Sequence, residues 1–255
     1  MADKVAPVNP PTSTENIRNV VLIGPSGAGK TTLVESMLFA SGAIQRAGAV
    51  PDGTTVSDYD EVEKRQERSV NLSVAAFDHN GVRINLIDVP GYADFAGEVG
   101  AGLRAADAAL FVVTGDTGFD GNTRLLWNEC AAVDMPRAIV VTKIDAPRAT
   151  TATRAAELRE ALGAGVVAFE LPMGEDVLDL LSHMVHNHAA GKHTARPATE
   201  AEQSQGAELR NALIEAIISE ADDEALMEQY LSGDDIDSAA ARADVVQAVA
   251  HAKFH

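Results

Sequence analysis

Aromatic residues make up only 4% of this 255-residue chain, which has one tryptophan and one cysteine. A single thiol, Cys130, excludes an internal disulfide framework and fits a reducing compartment, with the thiol itself expected in the core. No window of about 18 apolar residues occurs, and the N-terminus has no apolar stretch of the kind that opens a secretory leader. The chain therefore reads as cytoplasmic, with no membrane partner. Basic residues are scarce: 20 Lys and Arg against 38 Asp and Glu give a formal net charge of -18. Such a surface repels phosphate backbones, so direct nucleic-acid binding by these residues is not expected. A nucleic-acid-containing partner must be met locally or through other parts of a longer protein. Disorder is excluded for most of the chain by a hydrophobic content of 46%, enough for a sizeable core.

Residues 1–16, MADKVAPVNPPTSTEN, combine prolines with small polar residues and show no periodicity, which reads as a disordered N-terminal arm. RNVVLIG is a short buried strand. The helix after it, in TTLVESMLFASG, places Leu33, Val34, Met37 and Leu38 on one face before Gly42 stops it. From 43 to 69 periodicity fades and charges accumulate in DYDEVEKRQERS, an irregular or switching segment. SVAAFDHNGVRINLID gives two strands around Asn80-Gly81, a pair suited to a tight hairpin turn with positive φ. AALFVVTG and RAIVVTKID are further strands, followed by helices near 120–134 and 150–162, and another short strand is expected at GVVAFEL. This alternation implies an α/β fold: a mostly parallel sheet with helices on both faces and ligands at the carboxyl ends of its strands. From 173 to 205 the rhythm breaks. Helical periodicity returns with Leu209, Leu213, Ile214 and Ile217, then with Leu226, Met227 and Tyr230, then with Val245, Val246 and Val249. These stripes are core.

GPSGAGKT, Gly24–Thr31, fits G-x-x-x-x-G-K-[ST] and lies between a strand and a helix, where its mechanism requires it. Backbone N–H groups from Gly24, Gly27, Ala28 and Gly29, with those of Thr31 and Thr32 at the helix N-terminus, can cradle phosphates. Lys30 can reach the β and γ oxygens and the Thr31 hydroxyl can ligate Mg²⁺. VRINLID ends on Asp88, which takes the place of the second metal element of a phosphate-loop fold and acts on Mg²⁺ through water. Gly91, with no Cβ in the way, can bring its N–H to a γ-phosphate. TKID, Thr142–Asp145, closes the set. The Asp145 carboxylate can accept two hydrogen bonds from guanine N1 and N2 but none from the acceptor N1 of adenine, while the Lys143 stem can lie over the ring. Guanine is selected over adenine, which disfavours an ATP-dependent phosphotransferase on the same loop.

In this order the motifs resemble those of the translational GTPases, most closely the G domain of elongation factor G. RNVVLIGPSGAGKTTLVESMLFASGAI, DGTTVSDYDEVEKRQERS, INLIDVPGYADF, VVTKID, ELPMGEDVLDLL and EALMEQYLSGDDI follow that family's landmarks over roughly 17–250. The resemblance implies a G domain core at 17–170, a small inserted subdomain at 171–205 and C-terminal helices at 206–255. It also implies GTP/GDP and Mg²⁺ as ligands, a ribosomal partner met through the full-length protein, and a monomer. The family's last strand, with a Ser-Ala loop over the guanine, should follow VVQAVAHAKFH and does not occur, so a piece of a longer multidomain protein is expected. Three positions depart from the family pattern. Gly27 stands where the phosphate loop carries Asp. Ser69, Val70, Asn71 and Leu72 replace Gly-Ile-Thr-Ile, whose Thr ligates Mg²⁺. Tyr92 replaces the His that helps position the attacking water. Binding elements are kept while the catalytic positions Asn71 and Tyr92 are altered. Two readings stay open: a nucleotide-sensing module whose hydrolysis is weak or lost, which the departures favour, and a fully active ribosome-stimulated translocation GTPase. Tyr92 either holds a water or packs beside the switch hinge. His183, His186, His188 and His193, with no cysteine among them, are expected as solvated surface residues and not a metal site.

Overall fold

The computed structural model describes residues 13–57, 71–92, 96–117, 119–145, 151–163, 165–187, 193–220, 224–232, 236 and 238–251. The expectations for residues 1–12, for the charged stretch 58–70 and for His188 lie outside the described residues. Thr14–Asn16, inside the expected arm, is a single 3-10 turn capped by the Ser13 side chain. The chain divides into two compact units, one made of residues up to Val113 with Phe119–Thr142, the other of Thr114–Gly118 with Lys143–His255.

The first unit is built on a five-stranded sheet, with strands β1 (Ile17–Ile23), β2 (Ser73–His79), β3 (Val82–Asp88), β4 (Ala108–Thr114) and β5 (Arg137–Thr142) in the order β2-β3-β1-β4-β5. Strand β1 is central because both its faces are apolar: Val21, Leu22 and Ile23 are fully buried, as a strand covered on two sides requires. It pairs in parallel with β3 and with β4, while β2 is antiparallel to β3 across the hairpin. Asn80 (φ 49°) and Gly81 (φ 80°) make that turn, as their sequence predicts.

Alternation along the strands directs helices to both faces. On one face Leu22, Leu86, Ala75, Phe77 and Val112 pack against Val34 and Leu38 of α1 (Lys30–Ala40), with Leu33 and Met37 half-buried beside them. On the other face lie Val21, Ile87 and Val89. Helix α2 (Ala96–Ala105) meets them at Gly102, where an added Cβ would come within 2.7 Å of Val89 Cγ1 and 3.2 Å of Val21 Cγ2. In α3 (Gly121–Ala132) the one tryptophan, Trp127, meets Phe111 edge-on at 5.0 Å, and the buried Arg137 guanidinium lies 4.6 Å over its indole. Cys130 on the same helix is buried, and burial pushes its thiol up to about 11, the state of an inert core thiol.

The second unit contains helix α4 (Thr151–Leu162) and an antiparallel sheet of four short strands, β6 (Glu170–Met173), β7 (Asp176–Asp179), β8 (Met184–Asn187) and β9 (Thr194–Pro197), in sequence order. Helices α5 (Glu200–Glu220), α6 (Glu224–Ser232) and α7 (Ser238–Ala250) follow. Leu178, Leu180 and Val185 of the sheet region share one core with Leu213, Ile214, Ile217, Leu226 and Val245. Two local expectations differ. The strand expected at GVVAFEL begins only at Glu170, because the Val166 N–H turns back to the Gly163 carbonyl and Val167 enters the core from a loop. Helix α5 starts at Glu200, well before the apolar stripe at Leu209. Thr199 and Glu202 form a reciprocal capping box: the Thr199 amide donates to the Glu202 carboxylate (2.7 Å) and the Glu202 amide to the Thr199 hydroxyl (3.4 Å). His183 occupies a turn (φ 54°), and the His186 and His193 rings stack with Nδ1 and Nε2 2.9 Å apart. Among the described residues no three His, Cys, Asp or Glu side chains group as metal ligands, and no helix is long and apolar enough to cross a membrane.

Arg196 grips Glu202 with two hydrogen bonds, at 2.8 and 2.6 Å. This guanidinium, and after it the Thr199 amide and hydroxyl, hold the Glu202 carboxyl down to about 2 from an ordinary 4.5. A carboxyl whose folded value is depressed stabilises the fold fully above its unfolded value and loses that contribution as pH falls toward the folded one. The difference in urea midpoint between the unaltered protein and Glu202→Gln should be constant from neutral pH to about 5 and close between about 4.5 and 2. An undiminished difference at pH 3 contradicts this assignment.

Candidate nucleotide-binding site

The parallel register between β1 and β3 sets Leu22 opposite Asp88, so the strand ends carrying the phosphate loop and the carboxylate emerge side by side. The sheet order changes direction at β1, with β3 on one side and β4 on the other. Such a switch point leaves a crevice at the carboxyl ends of the strands. Into it open Gly24 to Gly29 and the first turn of α1, which has no side-chain cap, so its N–H groups are available to an anion.

Lys30 is buried, with its ammonium donating to the carbonyls of Gly24 (2.8 Å) and Pro25 (3.1 Å). Burial pushes its pKa below the ordinary lysine value, and the carboxylates of Asp88 and Asp120 oppose that shift. A cation held in this way gains from a phosphate arriving beside it. Thr31 donates its hydroxyl to Asp88 Oδ2 at 2.7 Å, and Asp88 is itself buried. Two hard oxygen donors, a hydroxyl and a carboxylate, thus stand together beside a phosphate cradle, which is the donor chemistry Mg²⁺ takes. Gly91 closes on the loop so tightly that an added Cβ would lie 2.5 Å from the Ser26 nitrogen and 2.6 Å from Lys30 Nζ.

Thr142, at the end of β5, has its hydroxyl 2.7 Å from the Ala28 carbonyl oxygen and 3.0 Å from that of Val113. It ties the phosphate loop to the neighbouring strand ends. The first unit therefore brings together Gly24, Gly27, Ala28, Gly29, Lys30, Thr31, Thr32, Asp88, Gly91 and Thr142. Lys143 and Asp145 belong to the second unit. Both are exposed, and Lys143 has the left-handed backbone (φ 51°) that turns the chain directly after β5. Nearby in the same unit, hydrogen bonding from Thr114 holds the Asp116 carboxyl below its ordinary range, with Lys143 adding to the effect.

The three departing positions differ in setting. Gly27 has φ 75° and no atom within 4 Å of a built Cβ. Asn71 is exposed, and the next amide, Leu72 N–H, donates to Glu98. Tyr92 is 38% exposed and lines a small cavity with Val89, Val99, Thr123 and Leu126. Sequence reasoning does not single out Glu35, Glu98 or Asp120. Asp120 is the N-cap of α3, where it accepts from the Thr123 amide at 2.7 Å, and its charge also acts on Lys30. Glu35 carried no signal, since a lone Glu in an amphipathic helix reads as solvated.

Residues 15–252 match the family of the elongation factor Tu GTP binding domain. The "Elongation factor G-like protein" of Mycobacterium tuberculosis is 49% identical over 238 residues, covering 93% of this chain and 33% of that protein. "Elongation factor G" of Mycoplasma genitalium is 30% identical over 248 residues, covering 94% of this chain and 36% of its own length. A crystal structure from Thermus thermophilus superposes with a TM-score of 0.83 at 33% identity, covering 93% of this chain and 36% of that one. The chain spans about a third of the length of the curated relatives it matches. The phosphate loop, the Thr31–Asp88 pair and TKID occur in the family's order on the family's sheet, and the chain belongs to the translational GTPases as an elongation factor G-like GTP-binding domain.

Proposed function

We propose that this GTP-binding domain serves an elongation factor G-like translation factor at the ribosome, holding GTP and GDP with Mg²⁺ and turning GTP over weakly or not at all. The observation that carries the reading is the split between two kinds of position. The phosphate-loop glycines Gly24 and Gly29, Lys30, Thr31, Asp88, Gly91 and TKID keep the family's chemistry, while Gly27, Asn71, which stands where the family has a Mg²⁺-ligating Thr, and Tyr92 do not. The factor is read as a cytoplasmic monomer, with the stretch 171–205 as its inserted subdomain.

In this reading the backbone of the phosphate loop and Lys30 hold the β and γ phosphates. Thr31 and Asp88 hold Mg²⁺, which supplies charge neutralisation on the phosphate oxygens. The Gly91 N–H faces the γ-phosphate, and Asp145 reads the guanine edge with the Lys143 stem against the ring. Phosphoryl transfer is mostly positioning and charge stabilisation, so a misplaced water-orienting group slows turnover while binding stays intact. A phenol, as at Tyr92, can hold a water at neutral pH but is a poor base and does not become a cation. Gly27 offers no side chain, and Asn71 replaces a hydroxyl ligand by an amide.

Two outcomes test this. Asp145→Asn should lose most of the preference for guanine over xanthine nucleotides, a change of roughly 3 kcal/mol from two charge-assisted hydrogen bonds. Unchanged GDP binding in that variant removes Asp145 from the base site. In single-turnover hydrolysis by the full-length protein, ribosomes should stimulate GTP cleavage far less than they stimulate an elongation factor G run alongside. Tyr92→His alone should recover little, and Tyr92→His with Asn71→Thr and Gly27→Asp should recover more, non-additively. Hydrolysis by the unaltered protein as fast as the comparison factor's establishes the alternative, an active translocation GTPase.

A further inference from the structure

Glu35 lies in the second turn of α1 with only 1% of its surface exposed, and a carboxylate so buried requires partners. Its two oxygens accept one backbone N–H each, Oε2 from Gly48 at 2.7 Å and Oε1 from Val56 at 2.5 Å. The residues between form a closed loop. The Thr54 amide returns to the Ala49 carbonyl (3.4 Å), the Ala49 amide donates to the Thr54 hydroxyl (3.0 Å), and an added Cβ on Gly48 would stand 2.4 Å from the Thr54 oxygen. Glu35 is thus the bolt of a compact loop that ends at Val56. On the far side of residues 58–70 a second carboxylate does the same. Glu98, in the first turn of α2, accepts the Leu72 N–H at 3.1 Å, one residue after Asn71.

We infer that Glu35 and Glu98 are positioning residues that fasten Val56 to the phosphate-loop helix and Leu72 to the helix following Asp88–Gly91. Helix α1 starts at the phosphate loop, and α2 starts at Ala96, five residues after Gly91 in the chain. Helix α1 begins with Lys30 and Thr31, and α2 follows Gly91, which is packed against Lys30 Nζ. A γ-phosphate beside Lys30 and Gly91 is therefore felt at the backbone of Val56 and of Asn71–Leu72 through two charge-assisted hydrogen-bond anchors. GDP lacks that phosphate, so the coupling discriminates GTP from GDP. The inference rests on the nucleotide reading above.

The test uses amide hydrogen exchange and nucleotide affinity on the same variants. Glu35→Ala should accelerate exchange at Gly48 and Val56 about tenfold or more, and Glu98→Ala should do so at Leu72. Each should weaken a non-hydrolysable GTP analogue with Mg²⁺ about tenfold while changing GDP affinity less than about threefold. Glu98→Gln should restore both readouts, because an amide oxygen can replace the single acceptor used. Glu35→Gln should restore them only in part, since one of its two acceptors becomes a donor. Should Glu35→Ala fail to fold, the Glu98 pair and Glu35→Gln carry the test. Unaltered exchange at these amides, or equal losses of GDP and GTP-analogue affinity, overturns the inference alone and leaves the carboxylates merely structural. An unaltered protein that binds neither nucleotide overturns the nucleotide reading, and the inference with it.

Discussion

The hydrogen bond from Thr31 to Asp88, 2.7 Å long and half-buried, joins the first turn of α1 to the end of β3, the two elements on which the site is assembled. It exists because β1 and β3 run parallel in a register that sets Leu22 beside Asp88. Parallel pairing needs both faces of the sheet covered, and the alternating apolar residues of β1 and β3 supply one face to α1 and the other to α2. Helix α1 then begins directly after the phosphate loop, where its uncapped N–H groups and the side chains of Lys30 and Thr31 are open to an anion. A slip of one residue in that register would move Asp88 away from Thr31 and invert every buried side chain of β3.

The division between kept and altered positions follows from what each uses. Phosphate binding relies on backbone N–H groups, a helix N-terminus and one buried lysine, so it survives much side-chain change so long as the loop keeps its shape. Thr142 serves that shape by tying the Ala28 carbonyl to β5 and the Val113 carbonyl. Cleavage relies on side chains placed against a single transition state, and in the function proposed here Gly27, Asn71 and Tyr92 are the positions that bring other chemistry to it. Asp120 adds a second carboxylate which, with Asp88, favours the charged form of Lys30 against the effect of its burial.

Where a local rule and the global fold agreed, the sequence was legible. The Asn80-Gly81 turn, the buried run of β1, the phosphate loop and the apolar face of α1 each follow from residues a few positions apart. Strands β6 to β9 announced themselves only in the short strand expected at GVVAFEL, which overlaps β6 at Glu170 and Leu171. They are four residues long, contain Pro172 and Pro197 and the charges of Asp176 and Asp179, and owe their pairing to neighbours and to the core under α5. The early start of α5 was readable from Thr199 and Glu202, three residues apart, but the apolar stripe drew attention to Leu209 instead. Glu35 was not readable at all, because its partners are backbone amides 13 and 21 residues away whose approach only the folded loop creates.

In the proposed function, nucleotide affinity comes from the phosphate loop and the choice of guanine from TKID. Calorimetric titration of the protein with GDP and with ADP, each in the presence of Mg²⁺, tests it most directly. One GDP should bind per chain, and ADP should bind at least about a hundredfold more weakly, the measure of two charge-assisted hydrogen bonds to the base. ADP binding as tight as GDP, or heat from neither, would contradict the account.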